Sequence, residues 1–316
     1  MFKNKVVLVT GGAGFIGSHI VDRCLELNAE KVISFDNLVG VTKDNHAHLK
    51  HEPRFEFVKG DIKDYDVIKK YVQQSDVIFS EAASKLIVSL QNPAIDVQTN
   101  VVGNFNILEI MRKSGSNARI IHASTGSVFG SSNKPFEEGD PKKPSTVYGI
   151  SKLAAENYHD FYAKNYGIKS TVLRYFHVFG PRQDYSGEAG VINIFLSRVL
   201  QGKAPQVCSP GSQIRCFTYV ADDVEANILA YKNKSTIGET YNVASRTRIS
   251  IMDLATQIID LYGPKGMKPE MIAPRMGENL YPIPNTSKIE ALGWKESISF
   301  DQGLEKTKRW IEQDLK

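Results

Sequence analysis

Residues 5–19 read KVVLVTGGAGFIGSH, and the fold turns on how that stretch is parsed. Residues 5–10 are a short run of β-branched and apolar side chains that stops at glycines, which predicts a strand buried on both faces. Ile16, Ile20, Cys24 and Leu27 follow at spacings of three and four, the period of a helix with one apolar face. Strand, glycines and helix therefore come in that order, with Gly11, Gly14 and Gly17 at the turn.

The same alternation continues outward. Strands are predicted at 31–36 (KVISFD), 55–59 (FEFVK), 76–79 (DVIF), 119–124 (RIIHAS) and 170–176 (STVLRYF), and helical patterns fit between most of them. Parallel strands need a helical crossover, so the repetition predicts an α/β class: a doubly wound parallel sheet of the Rossmann kind. After residue 178 the texture changes to turn-rich segments such as GPRQDYSGEAG, QVCSPGSQ and PRMGENLYPIP. We expect a dinucleotide-binding domain over 1–178 and a smaller α/β substrate-binding domain over 179–316, with segments near 219–245 returning to the first.

Composition narrows the functions available. The chain has 316 residues, 41% of them apolar and 23% charged, so it can build a sizeable core. Its 39 Lys and Arg against 35 Asp and Glu leave a net charge of +4 with no basic run longer than a pair, which argues against nucleic acid or a membrane surface as partner. Cys24, Cys208 and Cys216 are odd in number and lack the spacing of a zinc site, so neither a disulfide framework nor a metal is expected. The amino terminus has too short an apolar run for a signal peptide, and no segment reaches the length of a membrane span. A reducing, cytoplasmic setting is the expectation.

Glycines between a first strand and a first helix let the backbone turn tightly and approach a pyrophosphate, while the helix N-terminus offers free N–H groups. The spacing here is GxxGxxG. Asp36 ends the second strand about 20 residues on, where a carboxylate accepts from an adenosine ribose diol and repels a 2′-phosphate. NAD is favoured over NADP. Asp61, in KGDIKD, suits either a turn cap or a contact with the adenine amino group.

Tyr148 and Lys152 stand four apart in a helical segment, on one face. An adjacent ammonium favours phenolate, so we expect the Tyr148 pKa to fall toward the working pH and the phenol to exchange a proton with an alcohol as hydride leaves. A second pair, Tyr65 and Lys69, has the same spacing and reads as decoration of a solvated helix. What separates Tyr148 is ASTGSVFG upstream of it, whose Ser124 and Thr125 emerge at the carboxyl edge of the sheet; the Thr125 hydroxyl can bond a reacting oxygen, and both hydroxyls also suit turn capping.

TGGAGFIGSH, Asp36-Asn37-Leu38, GDIKD, EAAS, ASTGSVFG, YGISK, RYFHVFGPRQ, RCFTYVADDV and PRMGE, in this order, resemble the extended short-chain dehydrogenase/reductase family of nucleotide-sugar epimerases and dehydratases. The resemblance implies NAD against Gly11, Gly14, Phe15, Ile16, Gly17, Asp36, Asn37, Asp61, Ile62, Ala82 and Lys152, the last holding the nicotinamide ribose. It implies a nucleotide-sugar substrate touching Lys85, Thr125, His177, Asn193, Arg215 and Arg275, the two arginines on its diphosphate. It also implies a homodimer packed through long helices near 93–114 and 148–166. Dehydratases of the family carry Asp-Glu directly after the threonine and uronate decarboxylases usually a glutamate at the second of those positions, where this chain has Gly126 and Ser127. Thr125, Tyr148 and Lys152 alone match what the 4-epimerases of UDP-hexoses or UDP-N-acetylhexosamines need.

Departures from the family pattern are His177 for an asparagine, Phe179 for a tyrosine and Glu81 for an apolar or aromatic residue. Pro282 stands where relatives gate bulky 2-substituents and leaves room for an N-acetyl group. They keep a second reading open, a net oxidoreductase or atypical dehydratase on a nucleotide sugar with Glu81 or His177 as acid/base. A third is a non-catalytic NAD-sensing protein.

Overall fold

The computed structural model describes residues 1–132, 134–186, 190–274 and 282–315. Its first half runs β1 (Val6–Thr10), α1 (Phe15–Glu26), β2 (Lys31–Asp36), β3 (Phe55–Lys59), α2 (Tyr65–Gln73), β4 (Val77–Ser80), α3 (Leu86–Gln91), α4 (Pro93–Val97), α5 (Asn104–Ser114), β5 (Arg119–Thr125), α6 (Val147–Tyr166) and β6 (Lys169–Tyr175). The second half runs β7 (Val178–Phe179), α7 (Val191–Leu200), β8 (Gln206–Cys208), β9 (Ile214–Cys216), β10 (Thr218–Tyr219), α8 (Val220–Lys232), β11 (Thr240–Val243), β12 (Arg248–Ser250), α9 (Ile251–Tyr262), β13 (Glu270–Ile272), α10 (Ser287–Glu290) and α11 (Phe300–Asp314).

Seven parallel strands form one sheet in the order β3-β2-β1-β4-β5-β6-β11. The six strands read from the sequence are its first six, and β11 joins from the far end of the chain with Tyr241 opposite Leu173. Successive side chains of a strand face opposite ways, and the two apolar layers divide accordingly. Val7, Val9, Phe79, Ile121 and Leu173 pack toward α1 and α8 on one face, while Leu8, Ile33, Ile78 and Ile120 pack toward α2, α5 and α6 on the other. Each such buried aliphatic stabilises the fold by roughly 1.5–3 kcal/mol. A third core joins α7, α9 and α11 around Phe195, Leu196, Ile258 and Leu304, beneath the short strand pairs of the second half.

The sheet reverses direction of travel at β1, whose neighbours are β2 on one side and β4 on the other. Ligands of open α/β sheets sit in the crevice at such a point. α6 matches the expected helix near 148–166, capped by Thr146 and ended by Gly167 at φ +69°. The helix expected near 93–114 is broken instead into α4, a wider π-type turn over Gln98–Gly103, and α5. Asn100 explains the break: its side chain accepts from Ser84 N at 2.8 Å and donates to Asp96 at 2.9 Å and Ser151 at 3.1 Å, while its carbonyl accepts from Asn104 Nδ2 at 2.8 Å. No helix among the described residues is long and apolar enough to cross a membrane.

Candidate active site

β1 delivers the chain into a turn where Gly11 takes φ +67° and donates to the Phe35 carbonyl at 2.8 Å. A Cβ at Gly11 would lie 2.7 Å from Ala82 N, and one at Gly17 would lie 2.2 Å from the Gly11 carbonyl oxygen, so neither position admits a side chain. No side chain caps the start of α1, whose Phe15, Ile16 and Gly17 line a cavity of about 850 Å³ together with Gly11 and Gly14. The first N–H groups of that helix are the donors an anion would use.

Asp36, buried at the end of β2, accepts from Ala13 N at 3.0 Å and from Leu38 N at 2.7 Å. Burial raises its pKa against these backbone donors. The carboxylate thus braces the glycine turn while facing the cavity. Asn37 donates to Asp61 at 2.9 Å, and Asp61 also accepts from Lys63 N at 2.9 Å. Burial pushes the Asp61 pKa up, but the Lys63 N–H and the Asn37 amide outweigh it and hold it low. Asp61 therefore caps its own turn, and with Ile62 it forms part of the cavity wall.

At the other end of the cavity stand Ser124, Thr125, Tyr148 and Tyr175, with Glu81 and Ala82 following β4 between them and the glycine turn. Ser124 donates to Glu156 at 2.5 Å, and Glu156 is paired with Arg174 through bonds of 2.8 and 2.6 Å. Ser124 belongs to the frame. Thr125 accepts from Ser127 N at 3.2 Å and keeps its hydroxyl at the cavity wall.

The proton chemistry differs from the expectation. Burial, and after it the Asp96 carboxylate, push the Tyr148 phenol up to about 12; the Thr125 hydroxyl pulls the other way and Glu81 adds to the rise. Lys152 does not reverse this, because its ammonium is buried behind the cavity wall and donates to the Ala123 carbonyl. Burial lowers the Lys152 pKa to about 8, against the pull of Glu81, Glu156 and Asp96. Asp96 itself was not singled out from sequence. It is fully buried on α4 and accepts from Asn100 Nδ2 at 2.9 Å, four residues on.

Of the other sequence candidates, Lys85 and His177 line the cavity. His177 holds φ +51°, a left-handed conformation that Asn and His tolerate better than most residues. The enclosing walls and then the Arg215 guanidinium keep its imidazole neutral. Arg215 lies buried on β9 with Nη1 donating to the Ile214 carbonyl at 2.9 Å. Asn193 is set back on α7, its amide donating to the carbonyls of Gly180 and Gln183 at 3.0 and 3.1 Å and its buried Oδ1 unpartnered. Arg275 lies outside the described residues. No local pattern marks the clasp over the mouth, where Lys43 meets Asp314, donates to Tyr185 at 3.0 Å and lies 4.8 and 5.5 Å from the Tyr185 and Trp310 ring centroids. No cluster of metal-ligating side chains exists among the described residues.

The cradles at Gly11 and Gly17, the open end of α1 and the carboxylate ending β2 fit a dinucleotide with a free ribose diol. Comparison with known proteins agrees. Residues 7–244 match the profile of the NAD dependent epimerase/dehydratase family. A UDP-glucose 4-epimerase of Mycolicibacterium smegmatis is 34% identical, over 95% of this chain and 96% of its own. A UDP-N-acetyl-alpha-D-glucosaminuronate decarboxylase of Bacillus cytotoxicus is 33% identical, over 98% of each chain. The crystal structure of UDP-glucose 4-epimerase from Thermotoga maritima with UDP-glucose superposes with a TM-score of 0.91 at 34% identity, covering 98% of this chain and all of that one. The glycine turn, the strand-end aspartate and the Thr-Tyr-Lys group thus lie in a chain whose whole length follows one lineage: it belongs to the NAD dependent epimerase/dehydratase family, within the extended short-chain dehydrogenases/reductases.

Proposed function

We propose that this chain interconverts epimers at carbon 4 of a nucleotide-activated sugar, a UDP-hexose or UDP-N-acetylhexosamine, through a transient 4-keto sugar. One observation carries the reading: Thr125 and Tyr148 share the cavity wall, and the turn after Thr125, Gly126 and Ser127, carries no acid. A Cβ at Gly126 would stand 2.2 Å from the Phe176 ring, and Ser127 donates its N–H to Thr125 Oγ1 while its hydroxyl oxygen accepts from the Thr125 hydroxyl. Dehydration needs a base for the carbon 5 proton, and hydroxyls do not serve as one at neutral pH.

Gly11, Gly14, Gly17 and the start of α1 would hold the diphosphate of NAD, Asp36 its adenosine ribose, and Lys152 its nicotinamide ribose once the ammonium turns from Ala123. When bound, NAD supplies the hydride acceptor and then the donor. Tyr148 exchanges the proton of the 4-hydroxyl and Thr125 bonds the same oxygen. With its pKa near 12 the phenol is in the form that gives a proton back to a ketone at neutral pH. Taking that proton in the first half-reaction calls for positive charge at the site, which Lys152 would supply once its ammonium turns from the Ala123 carbonyl toward the phenol. Arg215, with Arg275, suits the substrate diphosphate; Lys85, His177 and Asn193 complete its surroundings.

Incubation with a panel of nucleotide sugars and no added NAD tests the reading: a 4-epimer pair interconverts with no net NADH. Accumulation of a 4-keto product without epimer exchange refutes it and favours the dehydratase or oxidoreductase reading, whose support is the Glu81 carboxylate on the cavity wall. We further propose a homodimer through the outer faces of α5 and α6, where Phe105, Tyr158, Phe161 and Tyr166 are exposed in edge-to-face contact with neighbouring rings. Sedimentation of a monomer alone at micromolar concentration refutes that.

A further inference from the structure

Glu81 is a carboxylate on the wall of the cavity, and its environment is built rather than incidental. Asn227 Nδ2 donates to the Asp223 carbonyl at 2.9 Å; a carbonyl only accepts, so the amide orientation is fixed. The same Nδ2 donates to the Tyr175 hydroxyl at 2.6 Å. Tyr175 must then direct its own proton to Glu81, which accepts it at 3.1 Å. The chain of donors ends on the carboxylate and favours its anion. A second acid, Asp223, is fully buried close by with neither carboxylate oxygen hydrogen-bonded. Burial, Asp222 and Glu81 hold Asp223 in its neutral form. Of the two acids, Glu81, with its phenol donor and the Lys152 ammonium nearby, is the one that carries charge once the pH passes about 7.

We infer that Glu81, oriented by Tyr175, sets the reduction potential of the bound nicotinamide by placing a negative charge beside the hydride-transfer end of the cavity. The inference rests on the NAD-dependent reading above. Hydride leaves carbon 4 with both electrons of the C–H bond, the hydroxyl proton goes to the Tyr148 phenolate, and the nicotinamide ring would lose its positive charge as it accepts the hydride. A nearby anion stabilises the oxidised, cationic side of that exchange. It thereby drives hydride back to the ketone, which shortens the life of an intermediate that must not escape.

The charges around Glu81 fix its pH range. Tyr175 on β6, Lys152 and Tyr148 on α6 and Asp223 on α8 act on it directly, Asn227 on α8 bonds Tyr175, and Asp96 on α4 and the Arg174-paired Glu156 on α6 act on Lys152. Burial pushes Glu81 up to about 7, against Tyr175 and Lys152, so its influence is complete above that pH and absent well below it.

The test uses the purified chain with NAD bound, equilibrated against a dye of known potential, with bound NADH read by absorbance. At pH 8 the Glu81→Gln variant is expected to hold about tenfold more NADH relative to NAD than the native protein, about 30 mV for a two-electron couple. The difference is expected to vanish near pH 5. Tyr175→Phe, which keeps the ring and removes the donor, is expected to move the ratio in the same direction at pH 7. A Glu81→Gln ratio within about twofold of native at pH 8 overturns the inference, and if that variant does not fold, an unchanged ratio in Tyr175→Phe does so. Native protein that holds NAD yet exchanges no 4-epimer pair overturns the proposed reaction while the ratio comparison still stands; a chain that takes up no NAD overturns both.

Discussion

Tyr65 with Lys69 and Tyr148 with Lys152 have the same spacing, and the fold gives them opposite surroundings. On α2, Tyr65 leans against the apolar layer with the Lys113 ammonium 5.6 Å from its ring centroid, and Lys69 extends into water. On α6, Lys152 is only 1% exposed and Tyr148 meets Thr125 at the end of β5, with the carboxylates of Asp96 and Glu81 acting on both. Helical periodicity aligns two side chains. It does not make them reactive; burial and the charges gathered at the strand ends do that.

The contrast is open to direct attack. Tyr148→Phe is expected to cut turnover by about 10²–10⁴, the range for losing a general acid–base group, with Tyr65→Phe unchanged in the same assay. Comparable losses at both positions would erase the distinction. A smaller effect concerns stability. The native fold keeps the Glu81 proton to about pH 7 while the unfolded chain releases it near 4.5, so native stability falls as pH rises between those values. Glu81→Gln has no such proton to lose and should gain roughly 3 kcal/mol over native above pH 7, at about 1.4 kcal/mol per pKa unit, and nothing near pH 4. Denaturant melts across pH measure this, and a gain that does not depend on pH would discredit the assignment.

Asp96→Asn removes the charge that does most, after burial, to keep the phenol protonated, so tyrosinate absorbance should appear at lower pH than in native protein. No such movement should follow a change at Asp66, beside the outer pair. Lys69→Ala sits at the bottom of the scale, expected within about 0.5 kcal/mol of native and with full activity. A larger effect would mean the outer pair does more than cover surface.

What could be read ahead of the structure follows the same division. Alternating short strands and the glycine turn are local patterns, and Asp36 stands one strand away from the turn it braces, so their placement was legible. The network at the far end of the cavity was not, because its bonds join residues 94 apart, as Tyr175 and Glu81, or 52 apart, as Asn227 and Tyr175. The Tyr148 pKa departs from the sequence expectation for a related reason: the i,i+4 ammonium is local, whereas burial and the Asp96 and Glu81 carboxylates reach the phenol only through tertiary packing. The break near residue 100 also needed a distant partner, since Asn100 bonds Ser151 across the fold.

The contact between Gly126 and Phe176 bears on descent as well as on catalysis. An acid at position 126, where the resemblance places the aspartate of the dehydratases, would put its Cβ 2.2 Å from the Phe176 ring. Forcing an extra side chain into packed space costs about 1–3 kcal/mol, and thinning Phe176 first leaves a cavity in a core it shares with Phe129 and Phe136. Either single step is unfavourable alone, so a path to an acid at 126 requires the two substitutions to arrive in a particular order or together, and present-day chemistry on this scaffold is partly a record of which ring came first.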